Sequence, residues 1–253
     1  MNSSEKIFNR IKRQVGKAIG TFNLIEDGDR IAVGISGGKD SYALLHILEA
    51  LRKKAPIHFE LIAVNIDAGF PGYHKELIEG HLQQHHFNYH MATTGSYQII
   101  EEKLHPGTSY CSFCARLRRG AFYTQAENLD CNKIALGHHL DDFIETLLLN
   151  QFYGGTLAAM SARLHADNGK HIVIRPLVYV EEREIQEYSD RQKFPIVSCS
   201  CPVVGVEEQQ RQRMKQLIKT LAAEIPEIRN SMISAIGNDK LTQLLDQKLT
   251  TAG

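Results

Sequence analysis

The run Ser36-Gly37-Gly38-Lys39-Asp40-Ser41 has the make-up of an anion cradle. Two glycines let the backbone turn sharply and aim its N–H groups at one point, and a following helix adds the positive end of its dipole. Lys39 brings a point charge, and Ser36 and Ser41 bring hydroxyl donors. The spacing differs from the G-x-x-x-x-G-K-S/T loop of Walker ATPases. A second run, Gly137-His138-His139-Leu140-Asp141-Asp142, closes one apolar segment and opens another. Asp141 and Glu145 fall one helical turn apart, as do Asp142 and Thr146. Acidic residues in a first turn suit the helix dipole, which accounts for one of them. Two, behind Gly-His-His, can hold Mg2+ through water or orient an attacked group.

The five cysteines are clustered: Cys111 and Cys114 form C-x-x-C, Cys199 and Cys201 form C-x-C, and Cys131 stands alone. In a long chain such clustering points to metal or redox chemistry more than to a disulfide framework. The thiols have three readings. One is a thioredoxin-like redox pair, around which no thioredoxin pattern is found. The others are a zinc site completed by four thiolates and an iron–sulfur cluster. Four ligands close a site for structure, whereas three leave one metal position open for chemistry. Cys131 reads as a core residue.

These groups need a frame. Arg30–Ile35 reads as a buried strand running into Ser36, and Ser41–Lys53 as a helix with Leu44, Leu45, Leu48 and Leu51 inward. Phe59–Ile66, Tyr89–Thr93, Lys133–Gly137 and Ile172–Val180 read as further strands. Helices at Tyr73–His85, Arg116–Asn128, Asp141–Phe152 and Glu182–Gln192 alternate with them. Pro176 argues for a strand end or edge, which would place Arg175 there. The pattern is an α/β fold, a parallel sheet flanked by helices with right-handed crossovers. At the N-terminus an amphipathic helix sets Ile7, Ile11, Val15 and Ile19 against Lys6, Arg10, Lys12, Arg13 and Lys17; Glu207–Lys248 is mostly helical and polar. The chain thus reads as a single domain: an N-terminal helix over about 1–24, an α/β core over about 25–200 and a helical tail over about 205–253.

Lys+Arg and Asp+Glu both number 29 in 253 residues, so no acidic or basic tail is present. Nucleic-acid contact must then come from local patches. Candidates are Arg116, Arg118 and Arg119 beside the first cysteine pair, the N-terminal basic face, and Arg211, Arg213 and Lys215. Tyr110, Phe113 and Tyr153 can offer stacking platforms for splayed bases. No apolar run approaches the about 18 residues of a membrane span, and the first residues lack a secretory pattern, so a cytoplasmic protein without a membrane partner is expected.

SGGKDS resembles the PP-loop of the N-type ATP pyrophosphatases, and the segment from Gly137 to Thr146 resembles the GHHxDDxxET segment of PP-loop enzymes that thiolate tRNA. The resemblance implies an adenine nucleotide α-hydrolase-like (PP-loop ATPase) fold. It implies cleavage of ATP between its α and β phosphates, with AMP placed on a substrate oxygen and pyrophosphate held in the loop. On the nucleotide side it implies Ser36, Gly37, Gly38, Lys39, Asp40 and Ser41, with Asp67 at the carboxyl end of the second strand, Gly137 and His138. Lys39, Asp40, Asp141 and Asp142 would act in catalysis with ATP and Mg2+.

From about Phe8 to about Leu217, including CSFCARLRRGAFYTQA and RPLVYVEEREIQEYSDRQKFPIVSC, the chain is similar to the tRNA 2-thiocytidine synthetase (TtcA) family. That family implies a 4Fe-4S cluster on three cysteines with one iron open. It also implies adenylation of the C2 oxygen of the anticodon-loop cytidine at position 32 and its replacement by sulfur. Cys111 and Cys114 match the family's first C-x-x-C and would serve as metal ligands and in catalysis. Counted from Phe194-Pro195-Ile196, Cys199 matches the first cysteine of the second pair. The family has C-x-x-C there and this chain has Cys199-Ser200-Cys201-Pro202, so Cys199 and Cys201 both stand for the third ligand, with Cys199 preferred on spacing.

The implied partners are tRNA and a sulfur donor such as a cysteine desulfurase; a homodimer is left open. The alternatives are a tRNA uridine thiolase, a PP-loop ligase that amidates a small carboxylate around a structural zinc, and a zinc-stapled interaction protein. The chemistry joins the two motifs. Adenylation turns a pyrimidine oxygen into a good leaving group, and a sulfur nucleophile then attacks the activated carbon. The loop and the cysteines, although 75 positions apart from 36 to 111, should border one pocket.

Overall fold

The computed structural model describes residues 3–103, 110–167, 169–197 and 206–238. Its helices are α1 (Ser3–Phe22), α2 (Lys39–Arg52), α3 (Lys75–Gln84), α4 (Ser96–Lys103), α5 (Tyr110–Asn128), α6 (Leu140–Tyr153), α7 (Glu182–Gln192), α8 (Val206–Glu224) and α9 (Ile228–Ile236). Its strands are β1 (Arg30–Gly34), β2 (Glu60–Asp67), β3 (Tyr89–Thr93), β4 (Lys133–Ala135), β5 (Arg163–His165) and β6 (Ile172–Ile174). They form one sheet in the order β3-β2-β1-β4-β6-β5. All neighbours are parallel except β5 and β6. Every residue of β2 after Glu60 is buried. Such apolar runs belong to parallel strands covered on both faces.

Two compact units share the chain, Met1–Leu140 with Ser161–Gln210, and Asp141–Met160 with Arg211–Gly253. The first holds the whole sheet. One layer of its core joins Ala32, Ile62, Val64, Ile134 and Val173 of the strands to Ala126 and Cys131, with Phe122 and Leu136 at its edge. The helix α1 buries Ile7, Ile11 and Val15 as its spacing requires and packs on α2 and α7. Gln14 donates to Glu184 at 3.0 Å, and Arg10 pairs with the same carboxylate at 3.4 Å. At the amino end of β4, fully buried Lys133 lies 2.7 Å from Asp29 and 2.8 Å from Glu26. In the second unit Phe143, Ile144, Met214, Ile218 and Ile228 are buried.

Three elements differ from the sequence reading. The last parallel strand stops at Ile174, because Pro176 has no N–H for a ladder and Pro176–Tyr179 form a turn. Antiparallel β5, whose residues are all exposed, covers the β6 edge. The fifth helix starts at Tyr110 and not at Arg116, so the first cysteine pair lies on it. Among the described residues no helix is long and apolar enough to cross a membrane.

Candidate active site

The strand β1 delivers Ser36-Gly37-Gly38 to the start of α2. Gly37 takes φ +85, the left-handed region that a side chain strains, and a Cβ there would stand 2.9 Å from Val197 Cβ. Ser41 Oγ donates to Gly38 O at 2.8 Å, and Gly38 N–H donates to Ser36 Oγ at 3.2 Å, so the hydroxyls brace the turn. Gly137 presses its backbone on the same turn: a Cβ there would lie 3.1 Å from the Asp40 carbonyl carbon and 3.2 Å from Ser41 N. The glycine after β4 therefore permits a close approach of two backbones.

Lys39 Nζ lies 3.2 Å from Glu182 and 3.3 Å from Asp40. Partial burial works against its charge, yet Asp40 and Glu182 hold its pKa above the usual lysine value. Asp40 Oδ1 lies 3.3 Å from Lys39 Nζ and 3.8 Å from His139 Nε2. His138 Nδ1 accepts from Arg175 Nε at 3.2 Å, which fixes this arginine just past the end of β6. Asp67 ends β2 as expected, but its carboxylate is engaged by the Gly69 N–H at 2.8 Å and by Lys75 at 3.1 Å.

A cavity of about 200 Å³ opens against the loop, lined by Ser36, Gly38, Phe70, Tyr73, Arg118 and Val197 among others. Phe70 also packs in a cluster with buried Cys114, Ala68 and Ile100. The helix that carries Cys111 and Cys114 thus reaches the cavity through Phe70 and through Arg118, one turn beyond Cys114. Val197 N–H donates to Gly37 O at 3.0 Å, stitching the chain two residues before Cys199 to the loop. Cys199 and Cys201 lie outside the described residues.

In the second unit Asp141 accepts from Arg229 Nε at 2.7 Å. Asp142 and Glu145 share Arg211 at 3.3 and 3.2 Å. Burial and the Asp142 charge push Glu145 up to about 7, against the pull of Arg211. Arg211, expected as a surface charge for nucleic acid, is thus paired with this acidic face. Two other candidate cations are also engaged: Lys12 stands over Phe8 and Lys17 over Tyr179. Arg116 and Tyr153 are exposed, and so is Arg119, 3.8 Å from Asp167.

Sequence reasoning missed Glu182 and Asn65. An acid at a helix start reads as a dipole partner, and nothing in its spacing ties Glu182 to Lys39. Asn65 did leave a signal, one amide in the apolar strand LIAVNID. Buried there, it donates at 2.7 Å to Ile35 O at the mouth of the loop and at 2.7 Å to Tyr73 OH on the cavity wall.

Cys131 is buried, and burial pushes its thiol up to about 11. At neutral pH iodoacetamide should leave it unmodified in the folded protein, read by peptide mass spectrometry. Modification as fast as in the unfolded chain would contradict its place in the core.

The sheet and glycine loop define a PP-loop protein, and a family model described as PP-loop domain matches residues 6–198. Among solved structures the chain is similar to the U34-tRNA thiolase NcsA from Methanococcus maripaludis with its 4Fe-4S cluster. The TM-score is 0.76 at 21% identity, over 92% of this chain and 78% of that one, a likeness of fold. Among curated proteins it is 57% identical to the tRNA-cytidine(32) 2-sulfurtransferase of Syntrophotalea carbinolica, over 98% of this chain and 96% of the relative. It is also 57% identical to that of Geobacter sulfurreducens, over 96% and 94%. The chain belongs to the tRNA-cytidine(32) 2-sulfurtransferase family.

Proposed function

We propose that this protein thiolates tRNA with ATP, adenylating the C2 oxygen of cytidine 32 and replacing it with sulfur. The observation that carries the reading is the cavity bordered by the phosphate-loop turn and by the helix of the first cysteine pair. The loop N–H groups and Lys39 take the phosphates, as anions at a helix start require. Glu182 and Asp40 keep Lys39 charged and aimed. The Asp40 carboxylate, beside Lys39 at the start of α2, offers the kind of oxygen donor that a hydrated Mg2+ would take next to those phosphates. Arg118 stands where it can meet the charge of the adenylate or the tRNA backbone. Phe70 and Ile66 keep one wall apolar, which protects the activated carbon from water.

A 4Fe-4S cluster fits the donors. Cys114 is buried next to the cavity, Cys111 is three residues earlier on the same helix, and the chain leading to Cys199 is bonded to the loop. When bound, the cluster supplies the centre from which sulfur is delivered, replenished by a donor such as a cysteine desulfurase. Anaerobic material should be brown, with the visible absorption and the iron lost in Cys114→Ala and kept in Cys131→Ser. Zinc in place of iron, in colourless protein, would favour the ligase reading instead.

A further inference from the structure

Three imidazoles that do not line the cavity meet beside Phe194, on the segment that approaches the second cysteine pair. His46 projects from α2, while His81 and His85, four residues apart on the end of α3, meet it. One ring nitrogen from each lies within 4.8 Å of the other two. His46 Nε2 and His81 Nε2 are 2.9 Å apart, and the His81 and His85 ring centroids 4.5 Å. His81 is buried, His46 half-buried and His85 exposed. None of the three lines the cavity.

We propose that His46, His81 and His85 form a second metal site, a Zn2+ centre with three imidazole ligands and water in the fourth position. Zn2+ takes ring nitrogens at about 2.0–2.1 Å in a tetrahedron, which sets ligand atoms roughly 3.3 Å apart. The short His46–His81 contact must open slightly and His85 must swing inward. Its exposure allows that and leaves the fourth position to solvent. The i, i+4 histidine pair on a helix joined by a third ligand from elsewhere is a spacing suited to zinc. A hydrogen bond between two neutral imidazoles accounts for His46 and His81 but gives no role to His85.

Phe194 packs its ring at 5.1 Å from His46 and 5.7 Å from His81. Three residues later Val197 holds the loop turn at Gly37, and Tyr42 OH donates to Pro195 O at 3.2 Å. The metal would tie α2 to α3 beneath this strap, a structural role independent of which base is thiolated.

The test is equilibrium dialysis of the iron–sulfur-loaded protein against buffered Zn2+, with zinc and iron measured per chain. Wild type should retain one zinc, and zinc should raise its melting temperature. His85→Ala, at an exposed position that folding tolerates, and His81→Gln should weaken zinc retention by more than the about tenfold that loss of even an outer-shell partner costs. Both should keep their iron. Equal zinc in wild type and variants, or none in wild type, would overturn the site whatever the result for thiolation.

Discussion

Gly37→Ala should lower ATP-dependent thiolation by about 100-fold or more while leaving the protein folded. A residue at φ +85 sits in the left-handed region, where a Cβ costs about 1–2 kcal/mol. Here that Cβ also stands 2.9 Å from Val197 Cβ and 3.3 Å from Val197 O. The turn must therefore open away from the strap, carrying the Gly38 N–H and the start of α2 with it. A shift of order 1 Å in groups that hold the phosphates is enough for a 100-fold loss. The control is Gly16→Ala, on α1 with nothing within 4 Å of the added carbon. It should raise stability slightly and leave turnover unchanged. Initial rates of thionucleoside formation check both. Undiminished turnover in Gly37→Ala would remove the loop from the mechanism.

Lys133→Ala should cost about 3–5 kcal/mol, the usual cost of leaving a buried partner charge uncompensated. Its ammonium is 1% exposed and sits between Asp29, 5% exposed, and Glu26. At about 2–4 °C per kcal/mol for a chain of this size, the melting temperature falls by roughly 6–20 °C. Asp29 keeps two other donors, the Glu26 N–H at 2.6 Å and Asn132 Nδ2 at 2.7 Å, which favours the lower half of that range. Adding Asp29→Asn, which removes the stranded charge and keeps an acceptor, should recover most of the loss. Thermal melts of the iron-loaded proteins decide it; a single-variant loss under about 1 kcal/mol would mean that the pair is dispensable.

Much of the sheet was legible because parallel strands are apolar throughout and the breaks between them are rich in Gly, Asp and Pro. Arg30–Ile35 matches the observed strand closely for that reason; Tyr89–Thr93 matches too, although β3 is an edge strand that buries only Ala92. The elements that escaped are those whose local signal is weak. Arg163–His165 is a strand because Ile172–Ile174 offers it an edge, and its own residues are exposed. The start of α5 was placed too late because Cys and Phe are indifferent helix formers, and the packing of Cys114 with Phe70 and Ile100 overrides that preference.

The phosphate loop and the C-x-x-C pair could be named from spacing, and Gly137 from the resemblance of its segment, but not the helix under the cysteines. Their junction could not, since Phe70 and Val197 reach the site only through the fold. The same limit hid Glu182 on Lys39, the arginines on Asp141 and Asp142, and the meeting of His46 with His81. Each joins residues far apart in sequence, by contacts that neither period nor composition records.

The most direct measurement is nucleoside mass spectrometry of tRNA after incubation with ATP, a sulfide donor and the anaerobically loaded protein, beside the same protein stripped of iron. The loaded protein should form 2-thiocytidine at position 32 only when ATP is present, and the stripped protein none. Equal 2-thiocytidine from iron-free protein, or thiouridine in its place, would contradict a site that joins adenylation to sulfur delivered from a thiolate-held cluster.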